Sequence, residues 1–455
     1  MKKLLSVLFL TAFIIGCADK SGTNKVKLSG KLINWGNASK ILIDESLKSD
    51  FGLGNNVLIE TNENDEFYIS FELEEATYYS LGRNKLYLTP GDELELEIDY
   101  RDPDQSIFSG DHAAIQEYLC GVAFPKSGSY LSGGSFLKSP EIQQTFDLAD
   151  SITAIRQELL LNLENPPDEF IDLEQTRLQL DKINTILSMP IYGSFKGYWE
   201  YTEDQKEQVL VSVKDELNEM SAGLMQDNHM KHPNFRGMLL DLVNPQLQSS
   251  GIFDHLLMTP FMKEYDEIGA FVSQIESEGL IKRIEAIADN YLQGDHSIEY
   301  KEMVKEKLDQ YSVLKSGQSA MDIVFTNALG EEKALSEYKG ELIYVDLWAT
   351  WCGPCIDELP AFEKLKEDYK DQPISFVPIS IDTDVERWQN YLVKNDLPRD
   401  KEYLINRLDL DDYKVITIPR YFLIDKAFNI IDVFATVPSD PETRKIINEY
   451  LRGSE

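Results

Sequence analysis

Two cysteines that stand two residues apart, Cys352 and Cys355, are the residues of this chain best suited to chemistry. Their spacing is typical either of a redox pair or of half a zinc site. The apolar run Leu342–Leu347 leads into the pair and predicts a strand, and apolar residues at spacings of three and four predict a helix after it: Phe362, Leu365 and Tyr369. The N-terminus of a helix stabilises a thiolate through its free N–H groups and its dipole. The context therefore predicts thiol–disulfide chemistry.

Metal and haem sites are the alternatives for a cysteine pair. A closed zinc site needs two further cysteine or histidine ligands, and the last histidine of the chain is His296, far before the pair. Covalent haem attachment needs a histidine directly after the second cysteine, where Ile356 stands. The sequence therefore predicts neither a metal nor an organic cofactor.

The run from Asp346 to Cys355, DLWATWCGPC, resembles the active-site segment of thioredoxins. Glu358-Leu359-Pro360 narrows the resemblance to the membrane-associated TlpA/ResA-like branch. The segment Ile418–Asp425, IPRYFLID, is similar to that family's cis-proline loop and following strand. The resemblance covers residues 315–455 and implies a thioredoxin fold with disulfide-exchange activity.

The resemblance gives the two cysteines different roles. Cys352, the more exposed one at the helix start, is expected to attack a client disulfide as a thiolate, and Cys355 to resolve the mixed disulfide. Gly353 and Pro354 set the tightness of the pair and are the dipeptide of reducing thioredoxins, so that a reductant is favoured over an oxidant. Trp351 is expected to shield the pair on one side.

Two acidic residues accompany the pair. Asp346 ends an apolar strand six positions before Cys352, and burial there would raise its pKa, so that it can accept the proton of Cys355. The family's lysine on the next strand is absent, since Pro378 takes that place. Glu358 lies where the TlpA/ResA branch uses a negative charge to raise the pKa of the thiols. A hydrogen-bonded aspartate at a strand end and a solvent-facing helix glutamate are the plain structural alternatives.

The second segment of the resemblance predicts one side of a substrate groove. Pro419, after Ile418, is expected to be cis, which would place the Ile418 backbone beside the cysteines, where it can pair with an extended substrate. Trp351 and the Gly353-Pro354 dipeptide are expected to complete the groove. Arg420 stands where thioredoxins commonly have threonine, so that the specificity of the groove is expected to differ.

Residues 1–16 are typical of a signal peptide. A basic start precedes the apolar stretch Leu4–Ile15, which is too short to span a bilayer comfortably. Cys17 follows a small residue, as in bacterial lipoprotein signals, so that Cys17 is predicted to become the lipidated first residue and residues 17–25 a tether. The alternative is an ordinary secretory signal with an incidental cysteine. A lipid anchor predicts a place in the cell envelope, facing the periplasm.

The composition excludes further classes of protein. A net charge of −35 at pH 7 argues against nucleic acid as a partner. With Cys17 lipidated and the pair joined, only Cys120 remains of the four cysteines, so that a disulfide scaffold is excluded. Cys120 is predicted to be a buried small hydrophobe, and a reactive or cross-linking thiol is the alternative.

A chain of 455 residues predicts several domains. Residues 26–110 alternate between apolar and polar positions and predict an antiparallel β-sandwich. Residues 111–314 show helical spacings and predict a helical domain. Residues 315–455 alternate strands with helices and predict an α/β domain of the thioredoxin fold.

These observations favour a membrane-anchored thiol–disulfide oxidoreductase that reduces selected protein disulfides. Its compartment is oxidising, so that it would need a membrane thiol-electron donor. Peroxide reduction on the same fold is the first alternative, but the peroxiredoxin context Pro-x-x-x-Thr-x-x-Cys is absent, since Thr350 lies two residues before Cys352. A binding or scaffolding lipoprotein with an accessory redox domain is the second alternative.

Overall fold

The computed structural model describes residues 24–36, 38–120, 128–199 and 202–452. The predicted signal peptide and Cys17 lie outside the described residues, and the first strand begins at Lys25, the last residue of the predicted tether. The chain divides into two compact units between Thr259 and Pro260. No helix within the described ranges combines the length and the apolar character needed to cross a membrane.

The described part of the first unit starts with two four-stranded sheets, as the alternating sequence predicts. The sheet orders are β4-β1-β7-β8 and β3-β2-β5-β6. The strands have these bounds: β1 Lys25–Ile33, β2 Ile41–Asp44, β3 Val57–Leu58, β4 Glu66–Glu72, β5 Thr77–Leu81, β6 Asn84–Leu88, β7 Glu93–Asp99 and β8 Ile107–Gly110.

The two sheets bury one apolar core between them. Leu28, Ile69 and Leu96 of the first sheet and Leu42 and Leu86 of the second belong to a single buried cluster. Alternate residues point to opposite faces of a strand, and this alternation directs one face of each sheet into the shared core. The predicted sandwich is confirmed, with one difference in detail: β1 and β7 pair in parallel, whereas the other neighbours are antiparallel.

Seven α-helices follow among the described residues of the first unit. The longest, α3, buries a charged cluster as well as its apolar face, because Arg177 donates to Glu174 and Asp181 one turn away on either side. Cys120 is buried, as predicted. The helices have these bounds: α1 Ala113–Cys120, α2 Ile142–Leu161, α3 Asp168–Phe195, α4 Glu203–Val211, α5 Lys214–Met220, α6 Pro233–Leu242 and α7 Pro245–Ser249.

In its described residues, the second unit contains six α-helices and a seven-stranded sheet in the order β10-β9-β13-β12-β11-β14-β15. The three helices that precede the sheet are α8 Pro260–Glu278, α9 Lys282–Gln293 and α10 Ile298–Ser312. The strands are β9 Val324–Asn327, β10 Glu332–Ala334, β11 Leu342–Trp348, β12 Ile374–Ser380, β13 Tyr403–Leu404, β14 Arg420–Ile424 and β15 Ile430–Asp432. The remaining helices are α11 Gly353–Asp368, α12 Val385–Lys394 and α13 Pro441–Arg452.

The sheet combines parallel and antiparallel pairs, as the predicted thioredoxin fold requires. β11 lies parallel to β12 and antiparallel to β14. Helices α8–α10 fall within the predicted helical domain of residues 111–314, but they belong to the same compact unit as the sheet. The boundaries of the individual domains stay predictions.

Candidate active site

Strand β11 carries the chain into the cysteine pair. All seven of its residues are buried; the strand lies between β12 and β14 in the sheet, and residues of α11 and α13 pack against Leu342 and Tyr344. The chain leaves its carboxyl end and turns into α11 at Cys352. The strand–turn–helix context predicted for the pair is confirmed.

The pair lies at the N-terminus of α11. Cys352 is the N-cap residue in an extended conformation, and its sulfur accepts a hydrogen bond from the Cys355 N–H at 3.2 Å. The two sulfurs are joined in a disulfide whose Cα atoms are 5.3 Å apart. Once the bond is reduced, the same N–H and the helix dipole would stabilise a thiolate on Cys352.

Exposure around the pair is uneven. Cys352 and Cys355 expose only 5% and 1% of their surface, so that the predicted difference between them is small in the disulfide state. Trp351 exposes 53% and therefore presents an apolar surface to solvent beside the pair. Gly353 and Pro354 are exposed as well. The shielding role of Trp351 stays a prediction.

A buried carboxylate fixes the residues just before the pair. Asp382 accepts hydrogen bonds from the backbone N–H and the hydroxyl of Thr350, at 2.8 and 2.7 Å. It also accepts one from the Ser380 hydroxyl at 2.7 Å. All three side chains are buried. Asp382 is not among the site residues predicted from the sequence, although an aspartate close behind the apolar strand β12 is a signal that could have identified it.

Asp346 lies on β11, 1% exposed, and its Oδ1 has no hydrogen-bond partner in the described part of the chain. Burial raises the pKa of Asp346 to about 8, and the charge of Glu358 raises it further while Lys366 opposes the shift. The predicted rise in the Asp346 pKa is confirmed. The strand register places Pro378 opposite Asp346. This is the position at which the sequence was expected to have Pro378 in place of the family's lysine.

Glu358, on α11, is not a free surface carboxylate. It accepts hydrogen bonds from the backbone N–H and the hydroxyl of Ser439, at 2.9 and 2.7 Å. These bonds join the helix of the cysteine pair to the residues that precede α13. Glu358 is nevertheless close enough to raise the pKa of Asp346. Its effect on the thiols stays a prediction.

The Ile418–Pro419 peptide bond is cis, as predicted. Both residues are half-buried and lead directly into β14, the antiparallel neighbour of β11. Arg420, the first residue of β14, is buried; its guanidinium donates to the Glu276 carbonyl at 3.1 Å and lies 3.8 Å from the Phe434 ring centroid. Arg420 is thus a packing residue behind the loop, and its predicted part in groove specificity stays a prediction.

The site has the parts needed for disulfide exchange. It has a joined cysteine pair at a helix N-terminus, a buried carboxyl group of raised pKa and a cis-proline at the start of the neighbouring strand. In the described ranges there is no cluster of three or more histidine, cysteine, aspartate or glutamate side chains suited to a metal ion.

Comparisons with known proteins agree with this geometry. A family model described as Redoxin matches residues 315–451. The thiol-disulfide oxidoreductase ResA of Bacillus anthracis is 30% identical over 143 residues, which are 30% of this chain and 78% of that protein. The thioredoxin-like protein YneN of Bacillus subtilis is 30% identical over 123 residues, which are 26% of this chain and 71% of that protein.

Among solved structures, a crystal structure of a thiol-disulfide oxidoreductase from Bacteroides vulgatus is 40% identical; the match covers 31% of this chain and 99% of that chain, with a TM-score of 0.30. Each of these relatives covers between 26% and 31% of this chain, whereas the Redoxin model matches residues 315–451. The identity to ResA and YneN, over more than two thirds of each, decides the family. The chain belongs to the ResA-like thiol-disulfide oxidoreductases of the thioredoxin-like proteins.

Proposed function

We propose that this oxidoreductase is anchored in the cell envelope by a lipid on Cys17 and reduces disulfides in selected client proteins outside the cytoplasm. Electrons would come from a membrane thiol-electron donor, because the surrounding compartment is oxidising. No organic cofactor takes part.

The observation that carries this proposal is the position of Cys352. It caps α11, receives the Cys355 N–H on its sulfur and is followed by Gly353-Pro354. A cysteine at a helix N-terminus has a lowered thiol pKa and is the nucleophile of such pairs. The half-buried cis-proline loop would supply the backbone groups that bind an extended client segment.

The proposed cycle has two exchange steps. In the first, the Cys352 thiolate attacks a client disulfide; a Cys352–client disulfide forms, and the other client sulfur leaves as a thiolate. In the second, Cys355 attacks Cys352; the Cys352–Cys355 disulfide forms and the client's second sulfur leaves. Asp346, as carboxylate, takes the Cys355 proton in that step. The client is reduced by two electrons and the pair is oxidised by two.

The direction of electron flow is tested by the reduction potential of the Cys352/Cys355 pair in thiol buffers, with Cys352→Ser as the control. A potential near about −270 mV, that of thioredoxin, would support a reductant. A potential near about −120 mV, that of a strong oxidant, would reverse the proposed direction.

Clients and anchor are tested separately in cells. Cys355→Ala keeps the nucleophile but cannot resolve the mixed disulfide, so that it should accumulate client adducts that thiols release.

The anchor is tested with Cys17→Ser, which should lose incorporation of labelled fatty acid and leave the membrane fraction. A Cys17→Ser protein that stays lipidated and membrane-bound would contradict the anchor.

A further inference from the structure

The sheet face that packs against α11 holds four buried polar atoms without a hydrogen-bond partner among the described residues. They are Asp346 Oδ1, Glu402 Oε2, Trp348 Nε1 and the Tyr421 hydroxyl. Buried polar groups are nearly always hydrogen-bonded. Four unpaired polar atoms in one region therefore indicate a polar interior rather than an ordinary apolar core. Two of the four belong to carboxyl groups.

The strand register brings the two carboxyl groups into one row. Asp346 on β11 lies opposite Pro378 on β12. The next β12 residue, Ile379, lies opposite Tyr403 on β13, so that Glu402, directly before Tyr403, falls beside Pro378. Residues paired across neighbouring strands share a face, and strands are about 4.8 Å apart, which separates the two backbones by roughly 10 Å. The small, neutral Pro378 is the residue between them.

The two carboxyl groups, of Glu402 and Asp346, are also connected by electrostatic interactions. Glu402 is 2% exposed. Burial raises the pKa of Glu402 to about 8; Lys366 opposes this shift, and the charges of Glu363 and Asp346 add to it. Lys366, on α11, also lowers the pKa of Asp346 and is itself bound to Glu363 at 2.7 Å.

The other titratable groups around the row lie on β11, α11, β14 and α12. On β11, burial, Tyr421 and the charge of Asp346 raise the pKa of Tyr344. Glu358, on α11, raises the pKa of Asp346. Tyr421, on β14, lies opposite Asp346, and its pKa is raised by burial and then by the charge of Asp346. Tyr391, on α12, has its pKa raised by burial and by Glu402. Two buried carboxyl groups thus face one partly exposed cation.

We propose that Glu402 is a positioning residue for the resolving step and that it and Asp346 hold protons as a coupled pair. The proposal rests on the proposed function, because it concerns the step in which Cys355 loses its proton. Glu402 acts through Asp346 and does not contact the reacting sulfurs.

The pair acts as base when it carries one negative charge. Cys355 gives its proton to Asp346 as its sulfur bonds to Cys352; the bond between Cys352 and the client sulfur breaks, and that sulfur leaves as a thiolate. The pair is then neutral, and the client thiolate takes up a proton from solvent. Because the two carboxyl groups repel each other when both are ionised, the pair loses its protons in two steps.

The test uses the full chain and a small aromatic disulfide, 5,5′-dithiobis(2-nitrobenzoic acid). Reduced Cys352 releases one coloured thiolate and forms a mixed disulfide; Cys355 then releases the second. The rate of the second release, followed against pH, should show two inflections from the carboxyl pair in the wild type. Glu402→Gln should leave only one of these inflections and move its midpoint to a pH lower by roughly one unit. This is the coupling expected for two charges about 10 Å apart.

Glu367→Gln is the matched control, because Glu367 also lies on α11 but is exposed and pairs with Lys370. It should leave both inflections in place. A Glu402→Gln profile that superimposes on that of the wild type would overturn the proposal.

A second measurement covers the case in which Glu402→Gln does not fold. Coupling between two sites is reciprocal, so that Asp346→Asn should lower the pKa of Glu402 by the same amount. Carbon-13 NMR of the Glu402 carboxyl group, followed against pH, measures this pKa. An unchanged Glu402 titration would again overturn the pair. If the wild type releases no coloured thiolate, the proposed function fails, and the NMR titration still decides on the pair.

Discussion

The carboxylate of Glu358 accepts two hydrogen bonds from Ser439, one from its backbone N–H and one from its hydroxyl. Ser439 lies two residues before α13, so that these bonds hold α11 to the C-terminal helix. The negative charge at this fixed position raises the pKa of Asp346. The hydrogen bonds from Ser439 therefore fix the position from which the charge of Glu358 acts on the buried carboxyl group of Asp346.

Replacing Glu358 with glutamine should lower the pKa of Asp346. The amide oxygen of glutamine can still accept from Ser439, but the repelling charge is gone. In the second release of coloured thiolate, the inflections assigned to the carboxyl pair should move to lower pH. Ser439→Ala, which keeps the charge and one of the two bonds, should move them less. Equal profiles for Glu358→Gln and the wild type would show that Glu358 does not influence the buried group.

Local pattern was sufficient to predict the parts of the site that are close in sequence. The apolar run before Cys352 and the spacing after it predict the strand, the turn and the helix, because these follow from which faces must be buried. The raised pKa of Asp346 followed in the same way from its place at the end of that strand. The cis bond at Pro419 came from the resemblance.

The partners that are distant in sequence could not be predicted. Ser439 reaches Glu358 across 81 positions, and Glu402 joins the row of Asp346 only because β13 pairs with β12. Asp382 reaches back 32 positions to Thr350. Each of these contacts depends on strand order and helix packing, which a single sequence leaves open, since a change of register by one residue reverses the face on which a side chain lies.

Asp346→Asn should make the protein more stable at neutral pH. The folded-state pKa of Asp346, about 8, lies above its ordinary value of 3.8. The folded state therefore binds the proton more tightly, and wild-type stability is lost as the pH rises from the lower value to the higher one. At pH 7 the free energy of unfolding of Asp346→Asn should exceed that of the wild type by up to about 4 kcal/mol.

Urea unfolding of the oxidised protein from pH 4 to pH 9 measures this difference. It should be near zero at the acid end, grow with pH and become constant above the folded-state pKa. Asp357→Asn, an exposed aspartate on α11, is the control and should show no such growth. A pH-independent gap for Asp346→Asn would mean that the buried group is not protonated in the folded state.

Asp382→Ala should destabilise the turn before the cysteine pair. The change removes the acceptor for two Thr350 donors and for the Ser380 hydroxyl, and it leaves them buried. Unpaired buried groups cost about 1–3 kcal/mol each, and partial relaxation should give a total loss of about 3 kcal/mol in the free energy of unfolding. Hydrogen exchange at the Thr350 N–H should become faster. Asp371→Ala, at an exposed position after α11, should change neither quantity.

Arg420→Thr, which installs the residue common in thioredoxins, should destabilise this protein. The guanidinium binds the Val433 and Glu276 carbonyls and stacks on Phe434, and burial lowers the pKa of Arg420 to about 10. Threonine reaches none of these groups. The free energy of unfolding should fall by about 2–4 kcal/mol, since a buried charged donor contributes more than an ordinary hydrogen bond. Arg444→Thr removes a more exposed pair with Asp368 and should cost less than about 1 kcal/mol.

A fragment that begins at Pro260 should be more stable than one that begins at Lys315, although the predicted thioredoxin-like domain starts at residue 315. The shorter fragment lacks α8–α10, and with them the Glu276 carbonyl that binds Arg420 and the Tyr311 ring that stacks near Phe434. Thermal unfolding of the two fragments should give the lower midpoint for the shorter one. Arg420→Thr, introduced into both, should lower the midpoint of the longer fragment more, because only there does the guanidinium have its helix partner. Equal losses in the two fragments would mean that the contact between Arg420 and α8 contributes nothing to the stability of the redox unit.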